Sequence, residues 1–374
     1  MKKHNRLMNL FKKSAAASLA LVLAAVMMAA SGMVSAKADD DGLTEIHIST
    51  VDDLKELAKN CRLDSWSQDK KVILDKSIEL NGEEFTAIPT FGGIFEGKGN
   101  TINGISITKD GSYQGLFRYV QEGAIVRNLT VKGNVLPGGT SSYVGGIAGS
   151  NKGLITNCKF AGVCNGKSNV GGIAGSNESE GTIYASIAEG VVYAEHYAGG
   201  IAGINVGIID SSSNSANINT KIEQMDNIKI QDISLDTLTT TEDAVDITDI
   251  GGIAGYSSGK LYDNKNYGDV GYQHKGYNVG GIAGRQSGYI YGCANYGHIY
   301  GRKEVAGIAG QMEPYVNLTF TESTISQLRD KLDVLQNGID KTINDARGYS
   351  DSVSDSLSRM SDYADTASSS ADSL

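Results

Sequence analysis

Proline is almost missing from this chain, with three residues in 374, and there are only four cysteines and one tryptophan. So little proline excludes collagen-like and proline-rich architectures, and so few cysteines exclude a disulfide-dense scaffold. Cations are also short: 33 Lys and Arg stand against 43 Asp and Glu, a net charge of −10. A chain this acidic lacks the electrostatic footprint for nucleic acid or anionic lipid. At 40% hydrophobic residues it is nonetheless too apolar for a wholly disordered chain. Beyond the first 36 residues no apolar run is long enough to cross a membrane.

Glycine is plentiful. All but three of the 47 glycines fall in residues 42–310, where they make up about 16% of the chain against a typical ~7%. That density implies turns at short, regular intervals.

Residues 1–36 have the plan of a secretory signal peptide. Lys2, Lys3, Arg6, Lys12 and Lys13 precede an apolar run from Ala15 to Ala30, and small residues offer cleavage after Ala36 or Ala38. The expected location is secreted or cell-surface, in a Gram-positive bacterium, with no membrane span left after cleavage.

Internal repetition dominates residues 145–310. Gly-Gly-Ile-Ala-Gly begins at Gly145, Gly171, Gly199, Gly251 and Gly280, and Ala-Gly-Ile-Ala-Gly begins at Ala306. The intervals are 26, 28, 52, 29 and 26, and the long one reads as two periods, one of them disguised. Eight residues after the first glycine come Gly153, Gly207, Gly259 and Gly288, and two further on the aliphatics Ile155, Ile209, Leu261 and Ile290. Each period holds short alternating apolar and polar runs, the mark of strands with one buried face. Such short strands are stable only when stacked on their copies, about 4.8 Å apart, burying a continuous aliphatic column. The predicted fold is all-β, a right-handed parallel β-solenoid or β-helix. A β-propeller would need a period of about 40 residues or more.

Gly-Gly-Ile-Ala-Gly followed by x-x-x-Gly-x-Ile resembles the GLUG motif. Residues Phe91 to Ile102, Gly115 to Phe117 and Ile125 to Val131 resemble the stretch preceding such repeats. The resemblance covers about residues 45–310. It implies a bacterial surface protein with an extracellular β-solenoid, of a kind also found beside the peptidase domain of IgA-specific metallopeptidases. It implies no catalytic activity for the repeats.

The predicted domains are the signal peptide 1–36, the solenoid 45–310 and a C-terminal helical coiled-coil stalk 320–374 that breaks off incomplete. Thr50 followed by Asp52, Asp53, Leu54, Leu57 and Ala58 predicts a capped N-terminal plug helix over 51–60. Residues 216–250, with eight acids and two lysines, read as an irregular insertion. In the tail, Ile325, Leu328, Leu332, Leu335, Ile339, Thr342, Ala346, Tyr349 and Val353 follow a heptad seam. Leu357, Met360 and Ala364 continue it after a stutter. A seam of this kind offers self-association.

No catalytic site, cofactor or metal site is expected. His-Glu-x-x-His, Gly-x-Ser-x-Gly and the phosphate-loop pattern are absent, so the reading is of a protein that is not an enzyme. Cys158 and Cys293 share one phase four rungs apart, about 19 Å at the strand spacing, too far for a disulfide. Candidate ligand contacts are outward tyrosines: Tyr184, Tyr262 and Tyr291 at one offset, Tyr267 and Tyr296 at another. The expected function is a non-catalytic structural or adhesive module, with a host or cell-wall glycan or a surface protein as partner. The alternative is a glycan-binding module using the tyrosine face. A third reading is a polysaccharide lyase built on Asp263, Asp269, Lys265 and Lys275.

Overall fold

The computed structural model describes residues 42–138, 140–220 and 247–314, together with 354–355 and 357–361. Two compact units divide the chain, 1–315 and 316–374. The first is a parallel β-solenoid of about nine turns, four sheets wound round one core.

One turn shows the path. Ser142–Gly145 lies in a six-stranded sheet (sheet I), Ala148–Asn151 in an eight-stranded one (II), Leu154–Thr156 in a nine-stranded one (III), and Lys159–Asn165 in another of eight (IV). The chain then re-enters sheet I at Ser168–Gly171. The strand pairs are parallel and, apart from a shift between Ile102 and Ile105, in register, so like positions stack on like. Ile155, Ile183, Ile209, Leu261 and Ile290 form one such inward column. The first four are fully buried and Ile290 packs on the core from near its end. Toward the N-terminus Phe91, Phe95 and Phe117 fill the interior, with ring centroids 5.1 to 6.1 Å apart.

The repeated glycines sit where backbones nearly touch. A Cβ on Gly172 would overlap the carbonyl of Gly200 in the next rung. One on Gly175 would overlap the main chain at Tyr143, because sheets I and II fold closely together there. The motif is therefore a packing requirement of the corner between these sheets.

Three inward columns are polar. Asn151, Asn177 and Asn205 form a buried ladder that ends on Ser257, each amide donating to the next side chain at 2.8 to 3.1 Å. Asn214, Asn266 and Asn295 form a second, at 2.8 and 2.7 Å. In the third, Ser186 Oγ accepts from the Cys158 N–H, Ser212 Oγ from the Ser186 N–H and Asn264 Oδ1 from the Ser212 N–H. Cys158 and Cys293 are members of that column, and all four cysteines are free thiols.

Several expectations need correction. The 52-residue interval hides no rung: Gly199 pairs directly with Gly251 and Ile209 with Leu261, and Ile218 bridges Val270. The insertion is also narrower than 216–250. Ala216–Ile218 ends the strand Ser213–Ile218, and residues 248–250 belong to the strand Thr248–Gly251. Residues 221–246 lie outside the described set. A strand not read from the sequence, Thr44–Ile48, precedes the helix and pairs in parallel with Lys70–Leu74. The period-two pattern there is short and merges with the helix cap, which concealed it.

The helix Val51–Asn60 is present, with Leu54, Leu57 and Ala58 buried. Thr50 Oγ1 accepts from the Asp53 N–H at 3.1 Å, and Asp53 Oδ2 accepts from the Thr50 N–H at 2.9 Å, a reciprocal capping box. The Ser49 N–H, then the Thr50 hydroxyl and N–H, hold the Asp53 carboxyl below its usual range. The signal peptide and the heptad residues before 354 lie outside the described residues, while 354–355 and 357–361 are helical. Among the described residues no helix is long and apolar enough to cross a membrane.

Candidate functional site

The outward faces of sheets III and IV carry the tyrosines singled out from sequence. Alternation along Lys260–Tyr262 points Leu261 inward and its two neighbours outward. Tyr262 is in register with Tyr291, and Lys260 with Tyr289. Round the corner, Tyr267 and Tyr296 stack with centroids 5.0 Å apart and planes 9° from parallel. Tyr291 (68% exposed), Tyr296 (63%), Tyr289 (54%) and Tyr267 (50%) form a patch on the last two rungs of these sheets.

Tyr184 does not join it. Asp210 stands between Tyr184 and Tyr262 in the same column, so Tyr184 is two rungs away. Tyr289 was missed in the sequence. Its offset is filled by Leu154, Thr182, Ile208 and Lys260 in other rungs, so no aromatic pattern marked it.

Sheets III and IV meet at a corner held by left-handed residues: Asn128, Asn157, Ala185, Ser211, Asp263 and Gly292, with φ from 48° to 66°. The side chain of Asp263 lies against Gly292. Lys265 is in register with Ala294, a small residue between the Tyr291 and Tyr296 positions. Asp269 accepts from the His298 N–H at 2.9 Å and faces His298 Nδ1 at 3.0 Å. Among the described residues no group of three or more His, Cys, Asp or Glu is placed to hold a metal ion. Asp263, Asp269, Lys265 and Lys275 thus sit near these rungs without forming a metal centre.

A second aromatic cluster lies where sheets I and II fold together. Tyr113 and Tyr143 stack at 4.4 Å with planes 4° apart, and Tyr119 packs at 4.9 Å from Tyr113. Tyr113, Tyr143 and Tyr197 all adopt positive φ, a genuine outlier for a bulky residue. Farther along, the Arg285 guanidinium lies 4.8 Å from the Tyr256 ring and 5.6 Å from Tyr197. It pairs with Asp249 and Glu313, each at 3.2 Å, and donates to the Tyr197 hydroxyl at 3.1 Å. These groups pair with one another within the protein, although Arg285 Nε makes no hydrogen bond.

No protein-family model and no curated protein matches the chain. One solved structure is similar, a Bacteroides ovatus protein described as a "putative immunoglobulin A1 protease". The TM-score is 0.45 at 16% identity, over 72% of this chain and 84% of that one.

Proposed function

We propose that the protein is a non-catalytic repeat module of the GLUG type, exported and displayed at a bacterial surface, where it serves as a structural or adhesive element. The exposed tyrosine patch on a rigid sheet face carries this reading. Aromatic rings with polar tips supply contact area at little entropic cost; Tyr289 and Tyr291 stand on a paired strand, and Tyr267 and Tyr296 directly follow the two-residue strands Lys265–Asn266 and Ala294–Asn295. The sequence plan of residues 1–36 supports export. The strand Thr44–Ile48 and the helix Val51–Asn60 suit a cap over the first turns of a right-handed solenoid. The heptad residues of the tail suit a stalk.

The second reading is glycan binding at the same patch, favoured by the parallel Tyr267–Tyr296 pair. Expression with the native leader in a Gram-positive host should give a mature chain beginning after Ala36 or Ala38, in the medium or on the wall. Beads coated with that chain should adhere to host-cell or cell-wall preparations, and Tyr291→Ala with Tyr296→Ala should abolish adhesion. Retention of the protein in the cytoplasm, or adhesion indifferent to both substitutions, would overturn the proposal.

A further inference from the structure

The corner between sheets III and IV changes character in its last rung. Asn128, Asn157, Ala185, Ser211 and Asp263 each hold the left-handed position with a side chain, and only Gly292 lacks one. A Cβ at 292 would lie 3.0 Å from Asp263 Cγ and nearer still to its Oδ1. The missing side chain is thus the space the Asp263 carboxylate occupies. That carboxylate accepts no hydrogen bond from a described residue. It lies against Gly292, the residue that follows Tyr291 in the next rung. Tyr291 and Tyr296, both exposed, flank Ala294 in the chain, and Lys265 is in register with Ala294.

We propose that this corner, with Asp263, Lys265, Tyr291 and Tyr296, is a surface binding site for a neutral glycan, an inference that rests on the glycan-binding reading of the tyrosine patch. The rings of Tyr291 and Tyr296 offer apolar planes to the C–H faces of pyranose units. The Asp263 carboxylate accepts from a pair of neighbouring hydroxyls, and the Lys265 ammonium donates to a third oxygen. Lys260 and Lys265 are balanced here by Asp263 and Asp269, so no net positive field selects an acidic sugar. The negative charge of the whole chain further disfavours one.

The test is isothermal titration of the full chain after the leader, using cellohexaose, mannohexaose, chitohexaose and an oligogalacturonate of the same length. At least one neutral hexamer should bind, and more tightly than the galacturonate. Asp263→Asn should weaken it about tenfold, the scale of one charge-assisted hydrogen bond. Gly292→Asn should weaken it similarly by displacing Asp263, yet leave the melting temperature unchanged, because Asn128 and Asn157 already hold this corner at similar φ. Wild-type binding in both variants overturns the role of Asp263 and this corner. If Tyr291→Ala and Tyr296→Ala then still abolish binding, the broader tyrosine reading stands without it. Preference for the galacturonate overturns the neutral assignment. No binding to any hexamer, or binding indifferent to the tyrosines, overturns both.

Discussion

The side-chain amide of Asn151 donates to Asn177 Oδ1 at 2.8 Å, and Asn177 in turn donates to Asn205 Oδ1 at the same distance. Asn177 also reaches the carbonyls of Gly181 and Ile208, both at 3.2 Å. Replacing Asn177 by Ala leaves Asn205 Oδ1 without its donor in the core, while Asn151 Nδ2 still reaches the Gly153 carbonyl and the Gly181 carbonyl still accepts from the Ile208 N–H. An unpaired buried group costs about 1–3 kcal/mol, and a loss of that size is expected. Asn177→Asp should fare no better, since it sets a carboxylate oxygen against Asn205 Oδ1. Urea titration of both variants checks this, and a loss under about 1 kcal/mol for Asn177→Ala would contradict the ladder.

Ile209 lies fully buried between Ile183 and Leu261. Ile209→Asp buries an unpaired charge between two rungs and should leave no cooperative unfolding transition at room temperature. A melting point within a degree or so of wild type would show that the register is different.

Gly281 and Gly307 occupy the same motif position in successive rungs. A Cβ on Gly281 would overlap the Gly307 carbonyl, whereas one on Gly307 meets nothing within 4 Å. Gly281→Ala should therefore cost about 1–3 kcal/mol or more, as overpacking does, and Gly307→Ala nearly nothing. Paired thermal melts decide it, and equal losses would place the end of the stack elsewhere.

The thiols should make the fold weaken in alkali. Burial, partly offset by hydrogen bonds, pushes Cys158 up to about 12 and Cys61 up to about 11, from a reference of 9.0. Burial also raises Cys164. Above pH 9 the unfolded chain loses these protons while the folded chain keeps them. Stability then falls as pH rises, by about 1 kcal/mol per pH unit for each thiol. Cys158→Ser combined with Cys164→Val should flatten that slope, because Ser186 and Val192 hold the same columns one rung on. In native protein at pH 8 a thiol reagent should label the half-buried Cys293 first. Rapid labelling of Cys158 or Cys164 would be incompatible with this core.

The periodicity made the architecture legible. Gly-Gly-Ile-Ala-Gly at fixed phase implied stacked parallel strands, and the aliphatic two residues after the next glycine pointed to the inward column through Ile209. The asparagine ladders carried a signal too, with Asn at one offset in three rungs and at another in Asn214, Asn266 and Asn295. It passed unread because asparagine also belongs to turns. Arithmetic misled at the long interval. Fifty-two is twice 26, but pairing follows strand register, and chain length between strands leaves no mark on it. Of the patch, four tyrosines share the last rungs, while Tyr184 shares only an offset. The Asp263–Gly292 contact lay beyond sequence reading, because it depends on the absence of a side chain one rung away.

The direct pairing of Gly199 with Gly251 has a kinetic side. Elsewhere paired strands come from chain about 23 to 31 residues apart, but here the separation is 52. Doubling a closing loop adds only about 0.6 kcal/mol of entropic cost, small beside a rung interface. Closing this longer loop is therefore only slightly harder than closing the others, and the strands on either side pair as directly as their neighbours do. At equilibrium, length at that corner is almost a free variable. Sequence can be added, lost or exchanged there while all four sheets keep their alignment.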